Sequence, residues 1–405
     1  MQEIMDFNIA VSLEAATATL VAEADCPLGQ VYGTSAWPRP DELRLASRPL
    51  GELLFSRLFP GAVNGLYQRC RGRLAGGPGK LRVRIRAATR ATDRAIRDLH
   101  SIPWELLRDP HGVGFLALDH QVQLVRYLNL PALVPGELVL TGRKLEILVA
   151  SASPSDREPL RWDDEHASIE RAFAGSTTRV KLLRRATRAT LFAELSTQRY
   201  DVLHFIGHGN GPADLQPGTV LLEDEHGLSQ PVSAGEFAEM LQVTRPPLLV
   251  FLNACSTAEL AVQSHRDLAS SVAPALALRG IPAVVGMVNL VYDTDAITFA
   301  RTVYERLAQG ASLEAAVHVA RVAVRLGQSD EMSWTIPVVF SRATAGAAPV
   351  PQVAAPAPVH PQPPAPSSRD DRADHMPNTT VRDNNGTIIN GGQVGQLTIN
   401  HKSNP

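Results

Sequence analysis

Hydrophobic positions fall in two rhythms along this chain, and the rhythm changes near Thr141 and again near Ser341. Within residues 1–140, the stretches 7–11, 81–86 and 121–127 alternate apolar with polar side chains, the period of two expected of strands with one buried face. Residues 40–58 and 87–99 read as helices between them, so this part is expected to be a smaller α+β or β-rich unit. From 141 to 341 the texture differs. Short apolar runs at 145–150, 179–183, 200–206, 248–253 and 283–288 alternate with helical stretches at 163–173 and 187–196. Ser233 and Glu236 form a capping box that opens a further helix, and two long amphipathic helices follow Asp293 and Ser312. Strands buried on both faces and separated by helices build a mostly parallel sheet flanked by helices. The predicted fold is therefore α/β for residues 141–341.

After Ser341 neither rhythm continues. Residues 342–377 are rich in Ala and in Pro, and Pro can neither extend a helix nor donate to a sheet, so an extended linker is expected. At 378–401 Asn, Gln and Gly interleave with Val381, Ile388, Val394, Leu397 and Ile399, with almost no charge. That composition suits either a disordered tail or stacking in cross-β form, where amide ladders and apolar faces repeat from strand to strand.

Composition narrows the function classes. The chain has 405 residues, 44% of them hydrophobic, and a net charge of −2, so its overall charge balance demands neither nucleic acid nor an anionic membrane. Arg82, Arg84 and Arg86 share one strand face opposite Leu81, Val83 and Ile85; without interleaved aromatics this reads as a solvated face and not as a nucleic-acid surface. The three cysteines, Cys26, Cys70 and Cys255, show no CxxC spacing, which points away from a zinc knuckle or a disulfide framework and toward a reducing compartment. No apolar stretch approaches the ~18 residues that span a bilayer. A soluble, cytoplasmic protein without cofactor is expected.

The candidate chemistry sits at the ends of two apolar runs. His208 follows 200–206, and Cys255 follows 248–253. Both fall just past the carboxyl ends of predicted parallel strands, where open α/β sheets place their ligands. A thiol beside an imidazole makes a nucleophile and its base, with the backbone N–H groups of Gly209 and Cys255 available for an oxyanion. Without such a partner, Cys255 reads as a small buried hydrophobe. His204 alternates onto the face of Val202 and Ile206, which makes it a core histidine supporting the site. A metal held by His204, His208 and Cys255 would lack a further ligand cluster, and none is predicted.

Asp201-Val-Leu-His-Phe-Ile-Gly-His-Gly209 together with Phe251-Leu-Asn-Ala-Cys-Ser-Thr257 resembles the CHAT peptidases, relatives of caspases and separases. The spacing 255 − 208 = 47 is close to the ~50 residues that separate a caspase histidine from its Gln-Ala-Cys. Ala152-Ser153-Pro154 with Pro159-Leu160-Arg161 and Glu165, Ala283–Met287, 310–321, Trp334–Pro337 and Leu99–Leu107 are similar to flanking parts of that family, so the resemblance covers roughly residues 80–340. It implies a caspase-like sheet and a cysteine endopeptidase with Cys255 as nucleophile and His208 as general base and acid. Asp156 and Asp293 become candidates for recognising Arg or Lys in a protein substrate, although Asp is also favoured at turns and helix caps. The helical repeats of many family members are missing. The tail is similar to short amyloid signalling motifs at the ends of bacterial defence proteins. By that resemblance a sensor protein with a related motif would seed self-assembly through 378–401 and switch the effector on by proximity. The other reading from the sequence is a catalytically silent scaffold that recruits partners through its tail and N-terminal unit.

Overall fold

The computed structural model describes residues 3–14, 17–88, 99–100, 102–112, 114–128, 140, 144–210, 218–254, 272–289, 291–327 and 332–342. The chain opens with β1 (Ile4–Glu14), β2 (Thr19–Cys26) and β3 (Gly29–Ala36), each antiparallel to the next. The turn into β3 passes Gly29 at φ 137°, a backbone conformation that side chains with a Cβ rarely adopt. Two helices follow, α1 (Ser47–Leu58) and α2 (Ala62–Leu74). Leu50, Leu54 and Leu58 on the first, and Val63, Leu66, Cys70 and Leu74 on the second, form apolar stripes buried in the core with Phe7 and Ile9 of β1. The Cys70 sulfur lies 3.1 Å from that of Cys26, both as free thiols. β4 (Lys80–Ala87) then runs parallel to β1, and β5 (Val122–Leu128) parallel to β4.

The remaining elements alternate strand and helix: β6 (Glu146–Ser151), α3 (Trp162–Ala172), β7 (Arg179–Leu183), α4 (Arg188–Thr197) and β8 (Val202–Ile206). A small antiparallel sheet follows, with β9 (His208–Asn210), β10 (Thr219–Glu223) and β11 (Ser229–Ser233) in the order β11-β10-β9. The chain continues through α5 (Ala234–Met240), β12 (Leu249–Asn253), α6 (Val272–Leu278), β13 (Ala283–Met287), α7 (Asp293–Ala308), α8 (Leu313–Gly327) and β14 (Pro337–Arg342). The predicted capping box is present at α5, where Ser233 and Glu236 exchange side-chain and backbone hydrogen bonds.

The main sheet has the order β3-β2-β1-β4-β5-β14-β13-β12-β8-β6-β7. It consists of two parallel blocks, β1-β4-β5-β14 and β13-β12-β8-β6-β7, which meet antiparallel at β14 and β13, with β2 and β3 added antiparallel beyond β1. Alternation along β8 and β12 divides the core. Leu203, Phe205, Val250 and Leu252 pack with Leu191 of α4, Phe237 of α5 and Leu276 of α6. Val202, Ile206, Leu249 and Phe251 lie on the other side with Ile169 of α3, Phe299 of α7 and Val317 of α8. The expected α/β sheet flanked by helices is thus present, and the strands at its centre are buried on both faces.

Three features were not foreseen. The β2–β3 hairpin, α2 and the small β9–β11 sheet are additional to the expected elements. The β4 arginine face is not solvated: Arg82 and Arg84 are buried. Arg82 forks onto Asp6, its register partner on β1, with Nε to Oδ1 at 2.6 Å and Nη2 to Oδ2 at 3.1 Å, and it lies 3.6 Å from Glu314 of α8. Arg84 lies 3.2 Å from Asp6 and 5.1 Å over the Tyr127 ring. An opposite charge and a covering helix are what make burial of the two guanidiniums tolerable. Finally, the sheet runs on through the rhythm change near 141, and Met1–Pro349 forms one compact unit. Most of the helix expected at 87–99, the linker after Arg342 and the 378–401 segment lie outside the described residues.

Candidate active site

The site begins where β8 leaves the sheet. Val202 to Ile206 are all buried, and Gly207 ends the run. A Cβ at Gly207 would fall 2.5 Å from Cζ of Phe205 and 3.4 Å from the Ala152 carbonyl, so the turn out of the sheet has no room for a side chain. The Gly207 amide donates to the Asn253 carbonyl at 3.1 Å, joining the end of β8 to the end of β12. In register, Asn253 stands opposite Ile206. His208 follows Ile206 by two positions, and Cys255 follows Asn253 by two.

His208 is half-buried at the start of β9, with its Nε2 2.9 Å from the Glu158 carbonyl oxygen. A carbonyl only accepts, so Nε2 carries the proton and Nδ1 is left as an acceptor. Burial lowers the His208 pKa below the ordinary histidine value; the Glu158 carbonyl opposes this, Arg157 adds to it, and Asp293 and Asp156 oppose it. The net effect favours neutral imidazole, the form that can take a proton.

The loop that presents Glu158 is pinned at several points. Ser153 N donates to Glu223 Oε1 at 3.0 Å, Ser155 N to the Gly227 carbonyl at 2.8 Å, and Leu160 N to Ser153 Oγ at 3.2 Å. Asp156 accepts from the amide and hydroxyl of Ser229 at 2.8 and 2.6 Å, which holds its carboxyl below its ordinary pKa. Asp293, the first residue of α7, accepts from the Arg161 amide at 3.3 Å. Both carboxylates are therefore engaged in positioning this loop while lying within electrostatic range of His208. Gly209 stands opposite Val220 in the β9–β10 pairing. Cys255 lies outside the described residues; Ala254, immediately before it, is buried.

Beneath the strand ends lies a buried polar chain. His204, with no exposed surface, faces Tyr304 of α7 through Nδ1 at 3.0 Å and Glu165 of α3 through Nε2 at 2.8 Å. The second Glu165 oxygen accepts from Asn253 Nδ2 at 2.6 Å. Glu165 is 1% exposed and Asn253 8%. One tautomer satisfies every group: Tyr304 donates to Nδ1, and Nε2 donates to Glu165. Burial, and secondarily the Glu165 charge, raise the Tyr304 pKa well above its ordinary value, so its hydroxyl keeps the proton it donates. His204 lies in the buried core, on the strand face that alternation assigns to it. Glu165, Asn253 and Tyr304 were not singled out as a set by sequence reasoning. The available signal was a charged residue on the stripe Glu165, Ile169 and Phe173, whose spacing otherwise marks a buried helix face.

Among the described residues, no group of three or more His, Cys, Asp or Glu side chains is arranged to hold a metal ion, and no helix is long and apolar enough to cross a membrane.

The CHAT domain family matches residues 92–372, more than half of the sequence, and the chain belongs to that family. This bears out the resemblance read from the His208-Gly209 and Ala254-Cys255 segments. Solved structures similar to the chain include the Saccharomyces cerevisiae separase–securin complex, at TM-score 0.37 and 14% identity over 70% of this chain and 18% of that one. Another is the complex of the Porphyromonas gingivalis RgpB pro- and mature domains, at 0.42 and 12% over 70% of each chain. A third is a secreted C11 cysteine protease from Bacteroides thetaiotaomicron in complex with an irreversible peptide inhibitor, at 0.34 and 13% over 49% of this chain and 66% of that one. The chain thus spans 18% of the length of the first of these. No curated protein matches its sequence.

Proposed function

We propose that the chain is a cysteine endopeptidase in which Cys255 attacks and His208 moves the proton. The observation that carries this reading is the orientation of His208: with Nε2 held by the Glu158 carbonyl, Nδ1 is free to accept at the sheet edge one strand from the segment leading into Cys255. The proton passes from the Cys255 thiol to Nδ1, and the thiolate forms a bond to the substrate carbonyl carbon while the carbonyl electron pair moves onto oxygen. The Gly209 and Cys255 amides are assigned to that oxygen. As the tetrahedral adduct collapses, the C–N bond breaks and His208 returns the proton to the leaving amine. Water then releases the acyl group by the same steps in reverse. Asp156 and Asp293 favour Arg or Lys before the scissile bond, because their charges lie close to His208 and extend to what binds beside it.

Regulation belongs to the same reading. Tails covering 378–401 stack on a sensor protein carrying a related motif, gather the catalytic units and raise activity by proximity, as in a bacterial defence effector acting in the cytoplasm. What supports this is the Asn-, Gly- and Gln-rich composition of that segment behind a Pro- and Ala-rich linker.

The test is labelling of the full chain with a peptidyl acyloxymethyl ketone bearing Arg. Cys255 should be modified at least tenfold faster than Cys26 or Cys70, in line with activation of a thiol by an adjacent base. Labelling of Cys255 no faster than that of Cys26, together with unchanged proteolytic products from Cys255→Ala, would sink the enzyme assignment. For the tail, a peptide of residues 378–401 should pellet and bind thioflavin, and a peptide that stays monomeric when seeded would refute assembly.

A further inference from the structure

We infer that Glu165 is a positioning residue whose carboxylate clamps the end of β12 to β8 and thereby sets where the chain leaves the sheet after Asn253. The clamp rests on geometry alone; its catalytic consequence rests on the Cys255 and His208 reading above.

Asn253 is held twice. Its backbone carbonyl accepts from Gly207, the residue before His208, and its side-chain amide donates to Glu165. Glu165 is in turn fixed by His204, and His204 by Tyr304, so α3, β8, β12 and α7 meet in one hydrogen-bonded chain. A carboxylate with 1% exposure is costly to bury unless each oxygen has a donor. Here each has one: His204 Nε2–H on Oε1 and Asn253 Nδ2–H on Oε2. Apolar side chains of similar volume would fill the same space without the desolvation cost. What they would lack is direction: only a hydrogen-bonded acceptor at this point orients the Asn253 side chain. Since Cys255 is two positions beyond Asn253, any rotation of Asn253 is passed to the proposed nucleophile.

Four full-length proteins test this: wild type, Glu165→Ala, Glu165→Gln and Asn253→Ala. The readouts are alkylation of Cys255 by iodoacetamide, amide hydrogen exchange at Asn253 and Ala254, the 15N shifts of the His204 ring, and the thermal midpoint. In wild type the His204 ring should be protonated at Nε2. In Glu165→Gln the amide oxygen accepts from Asn253 and the amide NH2 donates to His204 Nε2. The ring proton then sits on Nδ1 and is donated to Tyr304. That variant should therefore switch tautomer yet alkylate within about threefold of wild type, since every bond is retained. Glu165→Ala and Asn253→Ala should slow alkylation roughly ten- to a hundredfold, the scale of a misplaced reacting group. Both should also accelerate exchange at the two amides. If Glu165→Ala does not fold, Asn253→Ala decides, because it removes only the last bond of the chain.

Wild-type alkylation and exchange in Asn253→Ala, at an unchanged midpoint, would overturn the clamp. Should wild-type Cys255 prove no more reactive than Cys26, the peptidase reading fails by itself, and the exchange rates still decide the clamp: faster exchange in Asn253→Ala upholds it, and unchanged exchange refutes it.

Discussion

At His208 the direction of the pKa shift fixes the direction of the pH response. Burial lowers it, Arg157 lowers it further, and the Glu158 carbonyl, Asp293 and Asp156 oppose both. The acid limb of Cys255 labelling should therefore lie below the ordinary histidine value of about 6.5. Arg157→Gln should move that limb toward higher pH and Asp293→Asn toward lower pH, and labelling rates across pH 4.5–8 read both shifts. His100 gives a stability counterpart. It is 1% exposed, neither ring nitrogen has a hydrogen-bond partner among the described residues, and burial, helped by Arg126, pushes its pKa down to about 3. A depressed histidine pKa means that the unfolded chain binds the extra proton. Its contribution is fully present above about pH 6.5 and is lost as pH falls toward 3, at up to ~1.4 kcal/mol per pH unit. Urea midpoints at pH 7.5, 6 and 4.5 should fall with pH, and His100→Leu should flatten the slope. Single residues were unevenly legible in the sequence. His208 announced itself by its place after an apolar run, whereas Glu165 and Tyr304 lie 39 and 100 residues from His204, and no local pattern joins them.

At the scale of elements, the site depends on a sharp exit from β8. Gly207→Ala would drive a Cβ into the Phe205 ring, which stands against Phe237 with centroids 5.8 Å apart and cannot swing away freely. We expect a loss of ~1–3 kcal/mol in denaturant midpoint, the usual cost of overpacking, together with slower Cys255 labelling. Central strands such as β8 and β12 were readable because burial on both faces leaves an unbroken apolar run. The β2–β3 hairpin was not. β2 buries Leu20, Ala22 and Ala24, mostly small side chains, and β3 carries Gly, Gln, Thr and Ser between its apolar positions, so neither shows a clear period. The Arg82 and Arg84 face misled for a different reason. Alternation reports which residues share a face, but only the distant Asp6 and Glu314 reveal that the face is covered.

At the scale of the molecule, the parallel block that carries the site shares its sheet with the N-terminal block. β14 is bonded to β13 on one side and to β5 on the other. Arg321 of α8, fully buried, donates to the Pro337 carbonyl at 2.9 Å and lies 3.7 Å from Glu105, which also accepts from Arg126 of β5. A protein lacking residues 1–140 would expose the β14 edge and leave Arg321 without its carboxylate partner. It should be recovered as aggregate, whereas the full chain elutes as a soluble species by size-exclusion chromatography. Recovery of a monodisperse truncated protein would contradict this. Composition marked a change near residue 141, but hydrogen bonding across a sheet leaves no trace in composition. The family match, which starts at residue 92, already includes Glu105 and β5.

The thiol pair between α2 and the end of β2 bears on how cleanly the chemistry can be observed. Cys70 is fully buried, and burial, reinforced by its contact with Cys26, pushes its thiol up to about 12. At neutral pH it offers almost no thiolate to an alkylating reagent. Of the three cysteines, Cys70 should therefore stay silent in the folded protein, which leaves Cys26 as the sole background against a signal from Cys255. A Cys26→Ser protein would then serve as its own single-site reporter, and labelling of Cys70 would serve as the alarm that the fold has opened.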